Sequence, residues 1–512
     1  MPMQGPPALQ KRLYNFWLAG LLVLLLLTGW VLIRVGPGKN EAGPRAQARS
    51  APAAAQTMTP DRAGEKAGAA AAKEEAAAGA ALPAAQIPAF DPDKDDYLLT
   101  AFSAQGLVQI FAAPDFFVLR SPGSVLNAQL ILRGNTPEVI DLSATRTPAD
   151  AGGNGQGAAA PGQAGQEFGI SFALDAPHAG GVNQGAATGA LTAAKDGPSF
   201  HSRPLMLKPY TDAGAFAPYP TVTVTAVDAA GERLAQTRAV LPVSDESGCR
   251  NCHTGPWATP GKSGISAASA GDILAVHDRR NNTDLQKLAG EGKTPDCSSC
   301  HQASEQMLSP SAAVHGFHAT MALEGPEACG LCHASANGGQ TRFFRDFHEL
   351  YGMDCTSCHG RLADHAIALL RFSAEKGNAA AQRRMAMLSP TLAGKSEDIA
   401  PREPYVNMPH CKGCHDMAKK PDPASASAFN KWTARAEERF SRAYENTGTV
   451  RCASCHGAPH ALYPAASPVG DNRDNLQPMQ YQKAAAPLGA SGNCAVCHKE
   501  AMDFFVHHDL PE

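Results

Sequence analysis

Fourteen cysteines stand in this 512-residue chain, and every one belongs to a C-x-x-C-H motif. The seven motifs are Cys249, Cys252 and His253; Cys297, Cys300 and His301; Cys329, Cys332 and His333; Cys355, Cys358 and His359; Cys411, Cys414 and His415; Cys452, Cys455 and His456; and Cys494, Cys497 and His498. Multiplied residue frequencies would give roughly 0.01 such motifs by chance. The spacing implies a definite chemistry. Two thiols three positions apart reach the two vinyl groups of one porphyrin, and the histidine that follows comes up beneath the iron as an axial ligand. The expectation is seven covalently attached haems c. Structural zinc would leave the histidine after every second cysteine unexplained. Disulfides can join 14 cysteines in an exported protein, but they do not account for seven trailing histidines.

An iron held from one side needs a second ligand. The chain has 18 histidines, and seven close motifs. His178 and His201 lie in or beside Gly/Ala-rich loops and read as surface or structural residues. The nine others are His277, His315, His318, His348, His365, His410, His460, His507 and His508. His507 and His508 are neighbours, so one of the two is expected to ligate. That supply nearly matches the demand and favours bis-histidine ligation at most or all sites. Methionine is the rival and would raise the potential, but Met307, Met321, Met353, Met408, Met417 and Met502 read as packing residues.

Local spacing sharpens some of these candidates. His348 precedes Cys355 by seven residues, and His318 precedes Cys329 by eleven. His315 and His318 are three apart, so one helix face can offer both to two cofactors. Gly457 and Pro459 break any helix after His456, so His460 is expected to point away from its own haem. His410 leaves the chain beside Cys411, on the side His415 already occupies, and is expected to serve a neighbouring haem.

The elements that position these residues fall into four stretches. Residues 1–35 carry Lys11 and Arg12, then an apolar run from Leu13 to Ile33 with Trp17 and Trp30 near its ends. The uncharged part, from Phe16, exceeds a signal-peptide core of about 7–15 residues, so an uncleaved transmembrane anchor is expected, with a cleaved signal as the alternative. Residues 36–92 are an Ala/Pro/Gly-rich linker without the large apolar side chains of a core. Residues 93–246 contain strand-like runs such as "VLNAQLILRG" and "TVTVTAVD", which predict an all-β, immunoglobulin-like sandwich with long mobile loops near 149–166 and 179–197. Residues 247–512 hold every motif and predict a loop-rich, mainly α domain with haem at its core. Helices are expected over 361–375 and 427–445.

The motif-bearing region resembles bacterial multihaem c-type cytochromes. The motifs carry the resemblance, with "CASCHGAPHALYP", which looks like a C-x-x-C-H-G-x-x-H segment, and "FHELYGMDCTSCHG", with its histidine ahead of a motif. It covers Cys249 to about His508. It implies a membrane-tethered protein that relays electrons between redox partners, a redox protein or the quinone pool, at the periplasmic face of the inner membrane. A secreted or cell-surface location is the alternative if the leader is cleaved. The net charge of −4 points away from nucleic acid. The alternative function is a reductase of a small nitrogen or sulfur oxyanion with one open-coordination haem. Arg361, Arg371, Arg383 and Arg384 would then line its pocket, but they read rather as partners of haem propionates or as solvent-facing residues. No C-x-x-C-K occurs, and the histidine surplus argues against an open site, so no catalytic residue is assigned.

Overall fold

Val222, Val224 and Ala226 point to one side of their strand and are fully buried, whereas Thr223, Thr225 and Val227 are partly exposed. This period-two pattern builds the N-terminal half of the computed structural model. The structure describes residues 86–502 except 114, 120–122, 142–167, 177–186, 195–197, 254–262, 303, 322, 324, 336–338, 393, 406–410, 412–414, 416–449, 468–472 and 501. The apolar segment 13–33, the linker up to residue 85, and the helix expected over 427–445 lie outside the described residues. Among the described residues, no helix is long and apolar enough to cross a membrane.

The strands are β1 (Tyr97–Ser103), β2 (Val108–Gln109), β3 (Phe111–Ala113), β4 (Phe117–Leu119), β5 (Leu126–Leu132), β6 (Glu138–Val139), β7 (Gly169–Leu174), β8 (Thr188–Ala190), β9 (Thr192–Ala193), β10 (Phe200–His201), β11 (Thr221–Val227), β12 (Arg233–Val240) and β13 (Val243–Ser244). One antiparallel sheet runs β1-β5-β10-β9 with β6 beside β5, and a second runs β12-β11-β7-β8. Both contribute to one core that includes Leu99, Leu126, Leu130, Phe172, Val222 and Val224. The stretch 179–197, expected as a loop, contains β8 and β9. Leu191 between them is buried, and Ser171–Ala173 pairs with Thr188–Ala190, which holds this segment to the sheet.

The helices that follow are α1 (Ala267–Asn281), α2 (Leu285–Gly290), α3 (Pro310–His318), α4 (Glu327–Gly330), α5 (Phe347–Leu350), α6 (Cys355–His359), α7 (Leu362–Glu375), α8 (Ala379–Leu388), α9 (Cys452–His456) and α10 (Leu476–Gln482). A hairpin of β14 (Gly457–Ala458) and β15 (Ala461–Leu462) follows α9. The helix expected over 361–375 is α7, with Arg361 at its N-cap and Ala366–Leu370 buried against α3 and α8. Gly316 makes that contact possible, because a Cβ there would meet Leu370 Cδ1 at 3.4 Å and Arg384 Cγ at 3.3 Å.

The described residues fall within one compact unit. Leu98, Ile131 and Val139 of the first sheet share a core with Tyr481, Leu488 and Val496. The Tyr481 hydroxyl donates to Leu99 O at 2.6 Å, and the Thr237 hydroxyl donates to Gln480 Oε1 at 2.7 Å.

Candidate functional site

Each motif begins as a local turn. The histidine N–H donates to the carbonyl of the first cysteine at 2.9 Å for His253, His301, His333 and His498, and at 2.8 Å for His415. The motifs of α6 and α9 form the same turn as short helices. Positions i, i+3 and i+4 of a helical turn share a face, so both thiols and the imidazole project to one side. Asp354 caps α6 by accepting from Thr356 N at 2.7 Å and Ser357 N at 3.1 Å. Gly457 ends α9 in the left-handed region, where a Cβ would meet Ala461 O at 3.0 Å.

Five motif histidines lie opposite five of the candidate second ligands. Ring centroids are separated by 6.3 Å for His253 and His318, 6.2 Å for His301 and His277, and 6.0 Å for His333 and His315. The separations are 6.1 Å for His359 and His460, and 5.9 Å for His415 and His348. A bond of about 2.0 Å from metal to imidazole nitrogen, with about 1.1 Å more to the ring centre, puts two trans imidazoles roughly 6.2 Å apart. All five pairs fit that span, so each can hold one iron between its rings. Among the described residues, no group of three or more His, Cys, Asp or Glu side chains is placed to hold a metal ion. A pair of imidazoles suits a metal whose other four ligands come from a macrocycle.

The pairing is not the local one. His318 lies by His253 rather than by the next motif, and His348 lies by His415 rather than by His359. His460 sits beside His359, a motif histidine about a hundred residues earlier in the chain. Helix α3, capped by Ser309 with Pro310 at its start, sends His315 and His318 to two different motifs. His410, His507, His508, His178, Cys414, Met408 and Met417 lie outside the described residues. His201 is on β10, away from the motifs in sequence, and pairs with Asn127 and Thr192 in its sheet.

His365 stands apart from the five pairs. Its ring lies 4.5 Å from that of His315 and 5.3 Å from that of His359, edge-on to both. It wedges between one ring of each of two pairs. Arg402 donates to His365 Nδ1 at 2.6 Å and reaches His359 Nδ1 at 3.1 Å, and its own N–H is fixed to Ala368 O of α7. Burial lowers the Arg402 guanidinium to about 9. Arg361 and Arg371 are engaged elsewhere: Arg361 binds Asp364 and Thr391 O, and Arg371 binds backbone carbonyls at 396, 397 and 399.

The ring nitrogens are oriented by partners that the motif pattern does not announce. His253 Nδ1 meets Asp272 Oδ2 at 3.0 Å, and His277 Nδ1 meets Thr283 Oγ1 at 2.9 Å. Backbone carbonyls serve His301 (Leu308, 3.2 Å), His315 (Ser311, 2.9 Å), His318 (Val314, 2.8 Å), His460 (Gln105, 3.0 Å) and His498 (Asn135, 3.0 Å). With Nδ1–H donating to a carbonyl or carboxylate, Nε2 carries the lone pair that binds a metal.

Gln105 and Asn135 belong to the β-rich half, and they are not its only links to the motifs. Gln129 Oε1 accepts from Arg451 N at 2.9 Å and from the Ser454 hydroxyl at 2.7 Å. Arg133 donates to Val496 O at 3.0 Å and Ala495 O at 2.6 Å, inside the last motif. Val118 N donates to Pro295 O at 2.9 Å, just ahead of Cys297. The β-rich half therefore lies along the motif-bearing segments. These bonds make it a bed against which motif peptides lie, a role invisible in sequence because every bond joins distant residues.

Burial keeps the site neutral. It lowers His315 to about 4 and His333 to about 3, and it drives His359 and His365 well below the usual imidazole value. These rings are therefore unprotonated near neutral pH, the state a metal requires. Burial raises the Cys297 thiol to about 11 and the thiols of Cys332, Cys455 and Cys497 to about 12. Compared with family models, with curated proteins and with solved structures, the chain matches none.

Proposed function

We propose that this chain is an exported, membrane-tethered heptahaem c-type cytochrome that relays electrons between redox partners in respiratory electron transfer. The observation that carries the reading is the set of five imidazole pairs at 5.9–6.3 Å, each joining a motif histidine to a histidine outside the motifs. Haem c, when bound, supplies an iron that cycles between two oxidation states. The protein does the rest. The paired cysteines of each motif would hold the macrocycle covalently, and at five motifs the paired imidazoles would hold its iron. Burial keeps His315, His333 and His359 unprotonated, and acceptors on Nδ1 orient His253, His277, His301, His315, His318, His333 and His460.

The partners of this reading are a redox protein or the quinone pool as donor and acceptor, with the membrane engaged through the apolar segment 13–33 and no nucleic acid. That segment supports a location at the periplasmic face of the inner membrane, or at the cell surface if it is cleaved. The test is haem stoichiometry by mass with electron paramagnetic resonance of the oxidised protein. Seven haems, all low-spin, are the expected result. A stoichiometric high-spin signal that moves on adding nitrite or sulfite would overturn the relay in favour of a reductase.

A further inference from the structure

We propose that Gln109, in the β-rich half, is a positioning residue for His333 that tunes the reduction potential of the iron this histidine binds. The inference rests on the haem reading above and adds a regulator to one of its sites. Gln109 is 6% exposed, and its amide bonds the end of the third motif. Its Oε1 accepts from His333 Nδ1 at 3.3 Å and from Ala334 N at 3.2 Å. Its Nε2 donates to Cys332 O at 3.1 Å. One side chain thus grips three successive residues, through the Cys332 carbonyl, the His333 imidazole and the Ala334 amide.

The grip is rigid because its base is held from both sides. Strand β2 pairs in parallel with β13, with Gln109 opposite Ser244. Val108 N donates to Pro242 O at 2.9 Å, and Ile110 N donates to Ser244 O at 2.7 Å. Ser244 is itself tied to Thr341 through their hydroxyls at 2.6 Å. Phe343 and Phe111 stand edge-on to the His333 ring at 5.1 and 6.3 Å, so the imidazole has little room to turn.

Gln109 also differs from most other Nδ1 partners. His301, His315, His318, His460 and His498 use backbone carbonyls, which no substitution removes. At His333 the acceptor is a side chain, so its strength is encoded by one residue. An acceptor on Nδ1–H makes the imidazole a stronger donor to ferric iron and holds the potential down. Removing the acceptor should let that potential rise. The β-rich half would then set a cofactor property as well as support the motif peptides.

The test compares Gln109→Met, similar in length but without an acceptor, with Gln109→Glu, which retains an oxygen at the same place. Gln236→Met is the control, because Gln236 bonds Thr225 of its own sheet through its side chain. Gln109→Leu gives a second reading of the same loss should the methionine variant fail to fold. Haem content by mass and spectroelectrochemical titration are read for each full-length protein. The expected result is seven haems in Q109M or Q109L with one midpoint potential raised, that potential unchanged or lowered in Q109E, whose carboxylate is the stronger acceptor, and Q236M unchanged. Seven haems with all potentials unmoved in Q109M and Q109L overturn the inference, as does the same shift in Q236M or in Q109E. A parent protein without haem overturns the underlying reading instead.

Discussion

The imidazoles of His315 and His333 lie 6.0 Å apart, centroid to centroid, with their planes 13° from parallel. The pair of His359 and His460 is equally flat at 12°, and that of His348 and His415 stands at 30°. The pairs of His253 with His318 and of His277 with His301 are near perpendicular, at 84° and 83°. Parallel axial rings split the two iron d orbitals that face them, and perpendicular rings leave those orbitals close in energy. Oxidised protein should therefore show two families of low-spin resonance, one rhombic and one strongly axial. Substituting His315→Ala should remove one member of the rhombic family and create one high-spin site. Loss from the axial family instead would refute the pairing.

His365 should behave unlike the paired histidines. It sits edge-on to His315 and His359 with Arg402 on its Nδ1, and it is not opposite a motif histidine at the trans span. Substituting His365→Ala should leave seven low-spin haems while perturbing the signals of the two pairs it touches. A new high-spin signal in H365A would show that it is a ligand.

Arg345 and Asp474 form a fully buried ion pair, with two hydrogen bonds at 2.8 and 2.9 Å and the guanidinium 5.2 Å from the Tyr219 ring centre. Removing one partner leaves an uncompensated buried charge, so Arg345→Met should cost about 3–5 kcal/mol. The double variant R345M/D474L should recover much of that loss. Denaturant midpoints of the three proteins check both statements.

Gly248 precedes the first motif and donates its N–H to Cys332 O at 2.9 Å, and Asn251 Nδ2 donates to Leu331 O at 3.1 Å. A Cβ on Gly248 would overlap the Leu331 carbonyl, which is backbone and has nowhere to go. Gly248→Ala should destabilise the fold by about 1–3 kcal/mol through overpacking where the first and third motifs meet. Thermal unfolding monitored in the haem absorbance band measures it.

Buried neutral histidines make the fold acid-sensitive. His333 and His315 are depressed by burial to about 3 and about 4, from an ordinary value of 6.5. The unfolded chain therefore binds protons first as pH falls. The contribution of these rings is fully present above about pH 6.5 and is lost progressively toward pH 3. Stability by guanidinium titration should fall across that window, and a flat profile from pH 7 to 4 would contradict it.

The motifs were legible because their chemistry is local. Cysteine, cysteine and histidine at i, i+3 and i+4 make one helical turn wherever they occur, as the repeated bond from His N–H to Cys O shows at Cys249 and Cys494 alike. Period-two burial in Val222, Val224 and Ala226, and the apolar face of α7, were readable for the same reason. The pool of second histidines could be counted from the sequence, but not assigned. His348 stands seven residues from Cys355 and yet lies by His415, because the chain's path between elements decides which rings meet.

The sequence by itself therefore determined the number of motifs and the spacing of cysteine and histidine within each. Only the tertiary structure decided which imidazole stands opposite which, that His365 sits between two pairs, and that Gln109 and Arg133 of the β-rich half hold motif peptides. Covalent spacing fixes contacts within one turn. Contacts between residues far apart in the chain depend on the packing of sheets and helices around a shared core, which no short motif records.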